Sequence, residues 1–190
     1  MVELDKVFDK VVKDKIRTIP NKIRTIETAK DKGKLLAVRG QYDYVEKVIP
    51  HCYAAEKRLL EPTEPPPDLP HFDVIFIGCP GQVNIKEWGQ PLHTFLEQGG
   101  VLLTTDWCLQ NLVQVIFPNT IYKNGTAEGN FALRVQMPEH PLLEGITNCA
   151  GISWSVETAS HKIGIHDPQR VEVILDAPDM GEPSNVLVAF

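Results

Sequence analysis

Apolar positions change period along this chain, and the changes mark its elements. Leu4, Val7, Phe8, Val11, Val12 and Ile16 recur at helical spacing, with Lys6, Asp9, Lys10, Lys13 and Asp14 between them. That pattern predicts an amphipathic helix over residues 2–17. A near-repeat follows, Lys15-Ile-Arg-Thr-Ile19 and Lys22-Ile-Arg-Thr-Ile26. Its Ile16, Ile19, Ile23 and Ile26 keep a 3-4-3 spacing like a short a/d seam. Pro20 breaks the run and favours a second helix starting near it, which Gly33 would stop.

From residue 34 the pattern becomes compact β-rich runs separated by helical stretches. Runs at 34–38, 54–60, 73–77 and 101–105 read as core strands. A turn at 39–43 and a short helix at 44–49, disturbed by Pro50, separate the first two. Residues 61–70 hold five prolines, which favour a stiff extended connector, with a proline-motif ligand as the alternative. Asn84 followed by Glu87 resembles a capping box. Ile85, Trp88, Leu92, Phe95 and Leu96 should form the buried face of the helix it starts, and Pro91 should kink or split it. Gly99-Gly100 ends it, and a further helix carries Leu109, Leu112, Val113 and Ile116. Asn124-Gly125 and Glu128-Gly129-Asn130 read as turns. Residues 131–137, 154–165, 171–175 and 185–190 read as strands. Strands alternating with helices predict an α/β protein with a mostly parallel sheet.

The chain has 190 residues and a net charge of −6. Residues 1–34 hold ten basic and six acidic side chains, net +4, and the remainder nine and nineteen, net −10. An acidic body is a poor partner for nucleic acid. No apolar run is long enough for a membrane span, and the charged start (Glu3, Asp5, Lys6) is unlike a secretory leader. Cys52, Cys79, Cys108 and Cys149 form no CxxC pair, so neither a disulfide framework nor a zinc site is expected. These features point to the cytoplasm. His51, His161 and His166 match no metal spacing, and no GxGxxG or phosphate loop is present. No metal or cofactor is expected.

Asp73-Val-Ile-Phe-Ile-Gly-Cys-Pro-Gly81, the helix ending in Gly99-Gly100, the run 101–105 entering Asp106-Trp107, and Glu139-His-Pro-Leu-Leu-Glu-Gly145 carry a resemblance. Together they resemble the class I glutamine amidotransferase-like domains, a flavodoxin-like family that includes ThuA-like proteins. More narrowly, the chain is similar to a bacterial group of such domains whose turn reads Thr-Asp-Trp and to which no reaction is attached. The resemblance implies a flavodoxin-like three-layer sandwich over 34–190, with residues 1–33 as an N-terminal helical arm. Active members place a cysteine between small residues on a strained elbow, with a His–Glu pair to activate it. Here that position falls on Asp106. Cys108 is flanked by Trp107 and Leu109, and no His-x-Glu follows. Glutaminase activity is therefore not expected.

The candidate site is the set of loops at the carboxyl ends of the strands. Gly40, Tyr42, Asp43, Gly78, Cys79, Gly81, Asp106 and Trp107 should line it, and Glu157 could reach its rim. Asp106 is either a functional carboxylate or an N-cap. Cys79 is either a reactive thiol or a small buried hydrophobe, and Cys108 is either activated by a helix N-terminus or inert. The leading expectation is a non-catalytic binding or interaction module, with a protein partner or a second copy engaging residues 2–26. One alternative is a hydrolase using Cys79 or Asp106 with a base such as His166; the other is a small-ligand sensor.

Overall fold

The computed structural model describes Lys10, Asp14 and residues 23–143 and 152–190, the side chains of Ile23 and Glu157 excepted. The helix expected over 2–17, most of the isoleucine near-repeat, Cys149 and the end of the 139–145 segment lie outside the described residues. The chain divides into two compact units, Met1–Cys108 and Leu109–Phe190. Among the described residues, no helix is long and apolar enough to cross a membrane.

The first unit is α/β. Helix α1 (Ile23–Lys32) ends at Gly33, whose N–H donates to the Ala29 carbonyl at 2.8 Å. A Cβ at Gly33 would sit 2.6 Å from that oxygen, so the stop needs glycine. Strand β1 (Lys34–Val38) leads to helix α2 (Val45–Val48), which Pro50 tightens into the 3-10 turn Ile49–His51. Then come β2 (Glu56–Leu60), β3 (Val74–Ile77), helix α3 (Ile85–Glu97) and β4 (Val101–Thr104). All four strands pair in parallel in the order β2-β1-β3-β4. Leu36, Val38, Ile75 and Ile77 alternate onto one face and are all fully or almost fully buried. On the other face Ala37 packs with Val45 and Ile49 of the α2 segment, flanked by Leu35 and Phe76.

Helix α3 is not split at Pro91; it runs unbroken through it. Proline removes one backbone N–H, but buried Trp88, Leu92 and Phe95 anchor the helix on both sides of the gap. Asn84 caps it, its Oδ1 accepting the Lys86 N–H at 3.2 Å while its Nδ2 donates to Glu87 at 2.7 Å. The proline-rich connector is tied down as well. Leu69 is buried, and the Trp88 indole N–H donates to the Glu64 carbonyl at 3.2 Å.

The second unit adds an antiparallel sheet that the strand–helix alternation did not predict. A helix over 109–116 opens with a π-helical stretch (Leu109–Val113). Strands β5 (Ile121–Ala132), β6 (Arg134–Val135), β7 (Ser153–Ile165), β8 (Glu172–Asp176) and β9 (Asn185–Ala189) follow. Their order is β5-β7-β9-β8-β6. The link 177–184 joins β8 to its antiparallel neighbour β9 and is shorter than the dozen or more residues a parallel crossover needs. Asn124-Gly125 and Glu128-Gly129 are not turns. They lie inside β5, at register shifts against β7, with Gly125 at φ +85° and Gly129 at φ +128°. Glycine's access to positive φ serves a bulge here as readily as a hairpin.

Candidate functional site

The strand order reverses between β1 and β3, the point where open α/β sheets leave a crevice beyond the strand ends. Two glycines let the loops meet there. A Cβ on Gly40 would lie 2.5 Å from the Cys79 carbonyl oxygen, and one on Gly78 would lie 2.7 Å from the Gly40 nitrogen. The Gln41 and Tyr42 N–H groups both donate to the Cys79 carbonyl, at 2.7 and 3.2 Å. Gly78 donates to the Val38 carbonyl at 3.1 Å. Gly81, at φ +76°, closes a turn by donating to the Gly78 carbonyl at 2.9 Å.

Asp43 ties three loops with one oxygen. Its Oδ2 accepts the Cys79 N–H at 2.6 Å and also the Thr105 hydroxyl. The loops after β1, β3 and β4 are thereby joined by charge-assisted hydrogen bonds. Asp43 is thus committed to the scaffold through Oδ2. Thr105, expected as the last residue of the 101–105 strand, instead lies just past β4, and a hydroxyl at a strand's carboxyl end is its only sequence signal.

Asp106 follows at φ +40°, with an exposed side chain. A helix N-cap has extended backbone, whereas positive φ is uncommon for a residue other than glycine. The backbone of Asp106 therefore departs from that of a cap and matches a tight elbow. Next to it, the half-buried Trp107 ring meets Tyr42 edge-on, with centroids 6.0 Å apart and planes at 63°. Tyr42 is 56% exposed, so an aromatic pair and a carboxylate face solvent together.

Both cysteines are buried beneath this surface. Burial pushes the Cys79 thiol up, and the negative charges of Asp106 and Asp43 add to the effect; the Trp107 backbone N–H opposes them. Burial pushes Cys108 up to about 12. Its Sγ donates to the Ile77 and Gly78 carbonyls, each at 3.4 Å. Both sulfurs are thiols, not thiolates, near neutral pH.

The fold thus brings Gly40, Tyr42, Asp43, Gly78, Cys79, Gly81, Asp106, Trp107 and Cys108 into one region of the first unit. Glu157 and His166 belong to the second. Glu157 is on β7, and its side chain is outside the described part. The His166 ring stacks on Tyr122 at 4.2 Å, and its backbone N–H donates to the Thr120 carbonyl at 2.9 Å. Among the described residues, no group of three or more His, Cys, Asp or Glu is arranged to hold a metal ion. No family model matches the sequence, and no curated protein matches it.

Proposed function

We propose that this chain is a non-catalytic, amidotransferase-like binding module of flavodoxin-like architecture. Its ligand is a polar or cationic small molecule held at the crevice beyond β1, β3 and β4. The observation that carries the reading is Asp106 at φ +40° above two protonated thiols. A nucleophile-type elbow holds a carboxylate, and the nearby sulfurs lack the activation that thiol chemistry requires. The order β2-β1-β3-β4 supports the flavodoxin-like assignment, because it begins the 2-1-3-4-5 winding of that fold. The exposed Tyr42, edge-on to the half-buried Trp107 beside Asp106, supports a cation, which aromatic faces and a carboxylate both attract. In this reading residues 2–26 supply the surface for a protein partner or a second copy, and the protein works in a bacterial cytoplasm.

The test is alkylation of Cys79 and Cys108 in the native protein as a function of pH. Labelling that proceeds only on unfolding is the expected result. Fast native labelling of either cysteine, with an apparent pKa below the ordinary thiol value of 9.0, would overturn the non-catalytic reading. A second reading, a hydrolase with Asp106 as nucleophile, is favoured by the same exposed, positive-φ carboxylate. It requires turnover that Asp106→Asn abolishes.

A further inference from the structure

A second concavity of the first unit is lined by residues distinct from those of the crevice. It is a groove of about 890 Å³ walled by α1 and floored by Leu35, Val74 and Leu103. These three come from neighbouring strands. Leu35 pairs with Val74, and Leu103 pairs with Phe76, two residues beyond Val74. They therefore share one face of the sheet. Leu103 is 37% exposed, and Val101 on the same face is 45% exposed. The floor is apolar and open to solvent.

The wall has a different character. Arg24, Thr28 and Lys32 line the groove at intervals of four residues, so they form one row along the helix. The two cations are about 12 Å apart along the axis. Among the described residues, none of the ion pairs involves Arg24 or Lys32. The acid among the lining residues is Asp73, whose Oδ2 accepts the Lys34 backbone N–H at 2.8 Å. Asp73 therefore lies toward the end of the groove where α1 passes into β1, the Lys32 end. An anion there would meet Lys32 and Lys34 but would also face the Asp73 carboxylate. At the Arg24 end it would meet a planar guanidinium suited to bidentate pairing.

We propose that this groove binds a medium- or long-chain alkanoate, its carboxylate on Arg24 and its alkyl chain along Leu35, Val74 and Leu103. The volume lies within the range of small-molecule sites, about 300–1,000 Å³. Charge complementarity decides the class of ligand, since an apolar floor beside a cation that makes no ion pair with another described residue matches an apolar chain ending in an anion. The site is independent of the crevice and of its ligand.

Calorimetric titration of the full chain with decanoate, below its micelle concentration, and with 1-decanol tests this. One-to-one decanoate binding at least about tenfold tighter than 1-decanol is expected. Arg24→Gln should remove that preference, and Leu103→Lys should abolish binding of both probes while circular dichroism stays unchanged. No decanoate binding, equal affinity for the two probes, or an unaltered preference in Arg24→Gln would overturn the proposal. So would a dimer in ultracentrifugation that Leu103→Lys dissociates, because the face would then be an interface between copies.

Discussion

Asp43 and Cys79 stand 36 residues apart in sequence, yet the Asp43 carboxylate accepts the Cys79 backbone N–H at 2.6 Å. The same oxygen takes the Thr105 hydroxyl, 62 residues further on. Asp43→Ala leaves both donors without their acceptor. It should lower unfolding free energy by about 2–3 kcal/mol, and Thr105→Val by about 1 kcal/mol. The double variant should cost less than the sum, since the two share one interaction. Urea denaturation of the four proteins measures this cycle.

Two glycine substitutions should separate close approach from backbone conformation. A Cβ at Gly40 meets backbone atoms at 2.5 and 2.9 Å, whereas Gly99, at φ +88°, has nothing within 4 Å of a Cβ. Gly99→Ala therefore pays only for its positive φ, about 1 kcal/mol. Gly40→Ala must displace the 78–81 loop and should cost clearly more, about 3 kcal/mol or above. Thermal denaturation ranks them, and equal losses would contradict the close contact.

The Cys108 thiol predicts an alkaline limit to stability. Its folded pKa, about 12, lies above the ordinary thiol value of 9.0. The folded state therefore keeps its proton while the unfolded chain loses one. This contribution is fully present below pH 9 and declines as pH rises from there to about 12. Within that window one such group gives a slope of about 1.4 kcal/mol per pH unit. Urea denaturation between pH 8 and 11 should show a shallower decline for Cys108→Ala than for the parent chain.

An acid limit comes from the second unit. Arg134 and Asp176 are register partners on β6 and β8, and the guanidinium grips the carboxylate through Nε at 3.0 Å and a terminal nitrogen at 2.5 Å. These bonds hold the Asp176 carboxyl below its usual range. The stabilisation is present above the unfolded value of about 3.9 and is lost as pH falls through the lower folded value. Asp176→Asn should be less stable at pH 7 and less sensitive to acid. Unfolding midpoints from pH 2 to 7 give the comparison, and parallel acid profiles would sink the assignment.

Much of the first unit was legible because its signals are local. Short β-rich runs give the strands at 34–38, 74–77 and 101–104 through period and side-chain shape, and Gly33 ends its helix through its own backbone chemistry. The glycine loops after β1 and β3 mark the site for the same reason: Gly40 and Gly78 permit an approach that any other residue blocks. Strand register also located Asp106 on the turn after β4.

What only the tertiary structure decided depends on partners far away in sequence. Helix α3 survives Pro91 because Trp88, Leu92 and Phe95 are buried on both sides of it. Gly125 and Gly129 become bulges because β7 pairs across them, whereas sequence alone offers a turn equally well. Cys79 and Cys108 read as possible nucleophiles until burial raised their pKa values. A thiol's proton is governed by the dielectric and charges around it, and those are assembled only when the chain folds.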